Sequence, residues 1–146
     1  MLKIARTMGE LDLDLLTQVY GYDGADAMKF DSYLQDVFFR TKGAVYCIWE
    51  QDERYVSALR LEPYEDGLIL AGLQTLPGER GKGIATELIG AVVQWLGTGK
   101  IYAHVYHRNK ASIRVHQRCG FCLIAPHARF LDGSVSVFAG TYLFEK

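Results

Sequence analysis

A glycine-rich turn between a strand and a helix is the segment of this sequence best suited to chemistry. The strand-like residues up to Leu76 are followed at once by the turn Pro77 to Gly83, and an amphipathic helix begins at Ile84. The first amides of a helix have no partner within it, and the helix dipole places partial positive charge there. Glycines let a ligand approach the backbone closely, so the turn is suited to a pyrophosphate, although an ordinary strand-to-helix turn can look the same.

Two familiar phosphate motifs do not fit this turn. A Walker A loop needs Ser or Thr after its Gly-Lys pair, whereas the sequence here is Gly81-Lys82-Gly83. A dinucleotide fingerprint needs a third glycine where Thr86 stands. A third pattern, Arg/Gln-x-x-Gly-x-Gly/Ala, is matched by the stretch Arg80 to Ala85.

A second segment downstream also joins a strand to a helix. Asn109 opens this helix, and Gly120-Phe121 closes it and begins another strand. Basic residues gather around both segments, while the net charge of the chain is only −1. This pattern favours a small phosphate-bearing ligand and argues against a nucleic acid, which would require a basic face or stripe. The basic cluster comprises Arg80, Lys82, Arg108, Lys110, Arg114 and Arg118.

Histidines and cysteines near the end of the second helix have a spacing that resembles a zinc ligand set. They are His116, Cys119, Cys122 and His127. The two cysteines straddle a helix end and the following strand, which makes a convergent tetrahedron hard to build. A redox Cys-x-x-Cys motif would open a helix rather than close one. We therefore expect no metal site, and we expect the cysteines to pack as small hydrophobic residues.

The elements that must position these segments follow from the hydrophobic periodicity. Their order predicts an α/β (α+β) layered fold with one mixed, mostly antiparallel central sheet. The predicted strands are Lys3–Thr7, Ala44–Trp49, Arg54–Leu61, Leu68–Leu76, Ile101–Val105, Phe121–Ala125 and Val135–Phe144, and the predicted helices are Glu10–Tyr20, Ala25–Arg40, Ile84–Leu96 and Asn109–Arg118.

Length and composition indicate one globular domain over residues 1–146. The longest apolar runs fall short of the about 18 residues of a membrane span, and the amino terminus lacks the apolar core of a signal peptide. The three cysteines, an odd number, fit a reducing compartment better than a disulfide framework. We expect a cytoplasmic protein with no membrane partner.

The glycine turn and the later Asn109-Lys110-Ala111-Ser112 segment, which leads to Gly120-Phe121, together resemble the GNAT acetyltransferase superfamily. The resemblance extends over essentially the whole chain, and it implies helices on both faces of the sheet and acetyl-coenzyme A as co-substrate. It also implies that the strand Leu68–Leu76 diverges from its neighbour and pairs with the pantetheine arm. The residues implied to bind the coenzyme are Leu73, Gln74 and Thr75 on that strand, Arg80, Gly81, Lys82, Gly83, Ile84 and Ala85 in the turn, and Asn109 and Ser112 on the later helix.

The sequence departs from the superfamily pattern at the positions that move protons. Many members have a tyrosine seven residues after the asparagine to protonate the leaving thiolate, and this chain has His116. Some members have a glutamate five residues before the asparagine as general base, and this chain has His104 at that position. Histidine can serve either role at neutral pH, or each residue can be structural. The strand before the turn offers no carboxylate, so Glu62 is the remaining candidate base.

The resemblance implies direct acetyl transfer to a primary amine of a small molecule or a peptide. A non-catalytic acyl-coenzyme A binding or sensor module is the alternative, favoured by the replaced tyrosine. A homodimer paired through the last strands is compatible with the sequence. Several aromatic residues, which core packing would also explain, are candidates for an acceptor pocket: Tyr33, Phe38, Phe39, Tyr46 and Trp49.

Overall fold

The structure, a computed structural model, describes all residues from 1 to 146. Its strands are β1 (Leu2–Ala5), β2 (Val45–Gln51), β3 (Arg54–Tyr64), β4 (Gly67–Thr75), β5 (Lys100–Tyr106), β6 (Cys122–Ala125), β7 (Ala128–Arg129), β8 (Val135–Ser136) and β9 (Ala139–Glu145). Its helices are α1 (Leu13–Tyr20), α2 (Gly24–Tyr33), α3 (Ile84–Leu96) and α4 (Lys110–Arg118). No helix is long and apolar enough to cross a membrane.

A seven-stranded sheet forms the centre of the fold, with strand order β1-β2-β3-β4-β5-β9-β6. Only β4 and β5 are parallel, and every other neighbouring pair is antiparallel. Strands β7 and β8 form a separate two-stranded hairpin. The predicted mixed, mostly antiparallel sheet is therefore confirmed.

Apolar cores cover both faces of the sheet. On one face, Leu88, Ile89 and Val92 of α3 are fully buried against the strands, at the spacing of one helical face. On the other face, α1 and α2 contribute Leu16, Val19 and other apolar side chains to a second core. The implied arrangement of helices on both faces is confirmed.

Most predicted bounds differ from the observed ones by up to three residues, and two predicted elements were wrong because the structure divides them. The segment predicted as one helix from Ala25 to Arg40 is α2 followed by a π-helical turn over Leu34–Phe38, in which the Phe39 amide donates to the Leu34 carbonyl at 3.0 Å. The wider turn keeps both Leu34 and Phe38 buried, which apolar periodicity does not distinguish from a regular helix.

The strand predicted from Val135 to Phe144 is divided in the structure. Its first residues belong to β8, which pairs with β7, and the sheet strand β9 begins only at Ala139. Between them, Val137 and Phe138 are exposed, so their β propensity does not reflect a place in the sheet.

Candidate active site

Strands β4 and β5 are paired along only part of their length. Residues Leu68–Leu70 lie opposite Ile101–Ala103, and after this short pairing both strands continue, β4 to Thr75 and β5 to Tyr106. The carboxyl-terminal halves of the two strands therefore separate and leave a gap inside the sheet. This is the divergence that the resemblance implies for residues 73–75.

A bulge in β4 lies at the start of this gap. In the pairing of β3 with β4, Ala58 lies opposite Gln74 and Arg60 lies opposite Ala71, so β4 holds one residue more than its partner over this stretch. Gly72 has φ +63° there, and a Cβ built on it would lie 2.5 Å from Arg60 Nη1. The Tyr20 hydroxyl donates a hydrogen bond of 2.6 Å to the Gly72 carbonyl, which ties the bulge to the end of α1.

A cleft of about 520 Å³, which we call the helix-side cleft, lies between β4, the start of α3 and the start of α4. Most of the residues implied to bind the coenzyme line it: Leu73, Gln74, Thr75, Arg80, Gly81, Gly83, Ile84, Ala85, Asn109 and Ser112. Lys82 is the exception.

The glycine turn leaves its backbone open to this cleft. Gly81 and Gly83 have φ +79° and +80°, and a Cβ at either position would have no atom within 4 Å. Gly83 is the N-cap of α3 and has no side chain that could accept a hydrogen bond from the first helical amides. These amides therefore remain available to an anion.

The positive charge around the cleft differs in part from the prediction. Lys82 Nζ donates to Glu79 Oε2 at 2.9 Å, and the Lys82 side chain does not line the cleft. Arg80 does line it, although its Nε donates to the Thr75 carbonyl at 3.1 Å. Arg114 and Arg118 on α4 also line the cleft, and they were in the predicted basic cluster but not among the implied binding residues. The four-residue spacing of these two arginines, which places them on one face of α4, was the sequence signal that could have identified them.

Asn109 begins α4 as its N-cap. Its Oδ1 accepts a hydrogen bond of 3.1 Å from the Ser112 amide. The side-chain amide nitrogen has no hydrogen-bond partner in the protein and lies on the cleft wall, so it is free to donate to a ligand.

His116 is a residue of α4 and lies on the buried face of that helix, with only 2% of its surface exposed. Its Nδ1 donates to the Ser112 carbonyl at 2.7 Å, whereas its Nε2 is buried without a partner. Burial lowers the pKa of His116, and the bond to the Ser112 carbonyl only partly opposes this effect. His116 is thus a neutral imidazole at pH 7, with its unprotonated nitrogen enclosed.

The sheet gap is a space of about 170 Å³ between the separated ends of β4 and β5. It shares Leu73, Asn109 and Ser112 with the helix-side cleft, and His116 also lines it. On the opposite face of the sheet it adjoins a larger cavity, and it shares Leu70, Ala71, Gly72, His104 and Tyr106 with that cavity. The gap therefore connects two spaces on opposite faces of the sheet.

The larger space, which we call the hairpin cavity, measures about 450 Å³ and lies under the β7–β8 hairpin. Tyr64 connects the hairpin to the sheet, because its hydroxyl donates to the Arg129 carbonyl at 2.6 Å. Phe130, in the turn of the hairpin, packs edge-on against the His104 ring with centroids 5.2 Å apart. The cavity therefore has a wall that the sequence did not predict.

His104 lines both the hairpin cavity and the sheet gap. Its Nε2 lies 3.4 Å from the Tyr64 hydroxyl oxygen, and since that hydroxyl donates to Arg129, the oxygen is left to accept from the histidine. Burial lowers the pKa of His104, so its ring is neutral at pH 7 and can take up a proton.

Glu62 also lines the hairpin cavity, but its carboxylate is already engaged. Tyr33 donates to Glu62 Oε1 at 2.9 Å, and Arg60 Nε lies 3.9 Å from the same oxygen. His104 and Glu62 are brought to one cavity, whereas His116 lies on the other side of the gap.

The aromatic residues suggested for an acceptor pocket do not line either space. Phe38 and Tyr46 are buried in the core between α1, α2 and the sheet, and Tyr33 reaches the site only through Glu62. The aromatic rings of the hairpin cavity are instead Tyr64, Tyr106 and Phe130. The sequence offered no signal for them, because their meeting depends on the hairpin folding over β5.

The three cysteines are free thiols. Cys47 is buried, Cys119 is half-buried and Cys122 is exposed. No three His, Cys, Asp or Glu side chains are grouped as a metal site would need.

Comparison with known proteins gives one match at the level of a family. A family described as the acetyltransferase (GNAT) family matches residues 12–121. No curated protein sequence matches the chain.

Solved structures share the fold at low sequence identity. The ribosomal-protein-S18-alanine N-acetyltransferase from Escherichia coli has a TM-score of 0.68 and 16% identity, covering 99% of this chain and 94% of its own. The N-acetyltransferase from Staphylococcus aureus Mu50 has a TM-score of 0.68 and 15% identity, covering 99% and 98%. The Campylobacter jejuni N-acetyltransferase PseH, solved in complex with acetyl coenzyme A, has a TM-score of 0.68 and 15% identity, covering 100% and 99%.

Proposed function

The chain belongs to the acetyltransferase (GNAT) family, and we propose that it transfers an acetyl group from acetyl-coenzyme A directly to a primary amine. The observation that carries this proposal is the sheet gap, which joins a cleft suited to a phosphate-bearing donor with a cavity suited to an acceptor. Two substrates bound on opposite faces of the sheet would meet in this gap without an enzyme-bound intermediate.

The helix-side cleft fits the donor. The amides from Arg80 to Ala85 would bind the pyrophosphate, and Arg114 and Arg118 would add positive charge, in place of Lys82. Residues 73–75 would pair through their backbone with the pantetheine arm, because this part of β4 has no partner in β5. Asn109 would donate its side-chain amide to the same arm, beside Ser112. Acetyl-coenzyme A would supply the thioester and its thiol leaving group.

In the reaction, a neutral amine of the acceptor attacks the thioester carbonyl from the hairpin cavity. A C–N bond forms, the C–S bond breaks, the proton leaving the nitrogen is taken up by a base, and the departing thiolate gains a proton. His104 is the base that we propose, because its ring is neutral at pH 7 and faces both the cavity and the gap. Glu62 is the weaker candidate, since Tyr33 and Arg60 already occupy one of its oxygens.

His116 stays our candidate for the acid that protonates the thiolate, and its surroundings set a condition on that role. Its Nδ1 proton is donated to the Ser112 carbonyl, so only the imidazolium form has a proton at Nε2 to give. Burial disfavours that form. We therefore assign most of the rate to positioning of the two substrates and to backbone polarisation of the thioester carbonyl.

Steady-state kinetics with a panel of amines tests the proposal. Coenzyme A release should match acetylated product mole for mole, and initial rates with both substrates varied should give intersecting double-reciprocal lines. Parallel lines, together with an acetylated protein detected by mass spectrometry, would indicate a covalent intermediate and overturn direct transfer.

The burial of His116 favours a second candidate, a non-catalytic acyl-coenzyme A binding module. Such a module would bind coenzyme A with ordinary affinity and release none of it from acetyl-coenzyme A with any amine. The same panel therefore separates the two functions.

The free cysteines and the exposed edge strand support proposals for the cellular location and the oligomeric state. Three free cysteines favour a reducing compartment, and we place the protein in the cytoplasm. Strand β6 is the last strand of the sheet and is largely exposed, so two copies could pair along it as a homodimer.

A further inference from the structure

The hairpin cavity has features that restrict the acceptor beyond its being an amine. Its volume of about 450 Å³ is that of a site for a small molecule, and eight of its 13 lining residues are hydrophobic. Apolar side chains of the hairpin turn also face solvent, since Phe130 is 44% exposed and Leu131 is 70% exposed. Apolar surface of this kind is stabilised when a ligand covers it.

The charges in the cavity are already compensated. Glu62 is its one acidic residue, and it accepts a hydrogen bond from Tyr33 and faces the guanidinium of Arg60. Arg60 Nε is buried and has no hydrogen-bond partner, so this carboxylate is the nearest counter-charge for that group. A second ammonium group on the acceptor would compete with Arg60 for Glu62.

The other polar side chains that line the cavity supply no second carboxylate for a cation; they are Tyr64, His104, Tyr106 and Ser136. The His104 ring, neutral at pH 7, packs edge-on between Tyr64 and Phe130, with ring centroids 5.4 and 5.2 Å away. The Tyr64 hydroxyl already donates its proton to the Arg129 carbonyl, so it has no second proton for a ligand. An unpaired cation moved from water into these surroundings would lose its hydration without gaining a partner.

We propose that the acceptor is a small monoamine whose body is apolar and large enough to hold an alkyl chain or one aromatic ring, with its nitrogen directed to the sheet gap. This inference depends on the proposed acetyl transfer, because it names the substrate class of the same site. The apolar body packs against Leu131, Phe130 and the floor of the cavity at Ile69 and Ala71. Polyamines and peptides with cationic neighbours are poor acceptors.

Matched amines provide the test. Hexylamine and hexamethylenediamine have the same chain and differ by one terminal ammonium, and phenethylamine supplies one aromatic ring. We expect kcat/KM for hexylamine and for phenethylamine to exceed that for the diamine by about a hundredfold. We also expect kcat/KM to rise roughly threefold for each methylene along a series of shorter alkylamines.

Two variants of the hairpin region show whether the cavity causes this preference. Leu131→Asp places a carboxylate in the cavity wall and should reduce or reverse the preference for hexylamine over the diamine. Val137→Asp changes an equally exposed apolar residue, 69% against 70%, that does not line the cavity, and should leave the preference unchanged. A wild-type preference for the diamine, a flat response to chain length, or the same effect from both variants would overturn the inference.

Binding measurements separate this inference from the proposed transfer. Thermal shifts of the coenzyme A-loaded protein report acceptor binding without turnover. A preference for binding hexylamine over the diamine that is reduced or reversed in Leu131→Asp supports the acceptor class even if no acetyl group moves. Acetylation of polyamines or peptides with no acetylation of hexylamine supports transfer and overturns the acceptor class.

Discussion

Replacing Gly83 with aspartate tests whether the turn before α3 binds the coenzyme pyrophosphate. Gly83 is exposed, has φ +80°, and forms the N-cap of α3 with open space where a Cβ would stand. A side chain there projects into the space that the phosphates would occupy. Asp and Asn tolerate a left-handed backbone better than other residues with a Cβ, so Gly83→Asp and Gly83→Asn should both fold.

The two variants differ in charge and hardly in shape. The ratio of their dissociation constants for coenzyme A therefore isolates the electrostatic part of the binding free energy. Two phosphate charges about 5 Å from a carboxylate each cost about 0.8 kcal/mol at the dielectric constant of water and about 3 kcal/mol at an effective value near 20. Because the turn is exposed, the total lies nearer the first limit, at about 2–3 kcal/mol. Gly83→Asp should therefore bind coenzyme A about 30- to 150-fold more weakly than Gly83→Asn.

Isothermal titration calorimetry with coenzyme A measures this ratio, and repeating it at higher salt should shrink the ratio because exposed charges are screened. Gly133→Asp is the matched control. Gly133 also has a positive φ, +89°, and open space around it, but it lies in the β7–β8 hairpin, away from the helix-side cleft. Equal affinities for Gly83→Asp and Gly83→Asn in folded proteins would refute the placement of the pyrophosphate.

Three further outcomes follow from the site. His104→Gln should lower kcat by about 10²- to 10⁴-fold, with the loss shrinking at high pH, and kcat of the control His127→Gln should be unchanged. Because burial lowers the pKa of His104, kcat/KM of the wild type should begin to fall with decreasing pH only below pH 6.5. For His116 the lowered pKa means that the unfolded chain binds the proton more readily, so the free energy of unfolding, measured with urea, should fall as pH decreases below 6.5. His116→Phe should reduce that fall, and if His116 is the general acid it should also slow turnover by about 10²- to 10⁴-fold with little effect on coenzyme A binding. Elemental analysis should find no stoichiometric zinc, and zinc whose removal unfolds the protein would contradict the analysis of the cysteines.

Much of the fold could be predicted because local patterns and packing agree. Helix α3 has the predicted bounds, Ile84 to Leu96, since one apolar face and a terminal Gly97 both specify it. The errors fell where periodicity is ambiguous. A π-helical turn retains nearly the apolar spacing of a helix, and the exposed β-branched residue Val137 looks like part of a strand.

The residues that line the helix-side cleft could be predicted from the sequence, and those that line the hairpin cavity largely could not. The glycine turn and Asn109 are local features whose chemistry depends on neighbouring residues, so sequence order identifies them. The hairpin cavity depends on contacts between distant segments, such as Tyr64 with Arg129. Lys82 illustrates the same limit, because its partner Glu79 sets the direction of its side chain.

The two histidines have pKa values shifted in the same direction, and this shift has opposite consequences for their proposed roles. Burial keeps both rings neutral at pH 7. A neutral ring is the form that a base requires, and His104 presents it to both the cavity and the gap. An acid requires the protonated form, which His116 attains only at a desolvation cost, with its Nδ1 proton donated to the Ser112 carbonyl. In the reaction that we propose, these surroundings favour removal of the amine proton over donation to the thiolate, and this asymmetry makes the pH dependence of His104→Gln the more informative of the two histidine experiments.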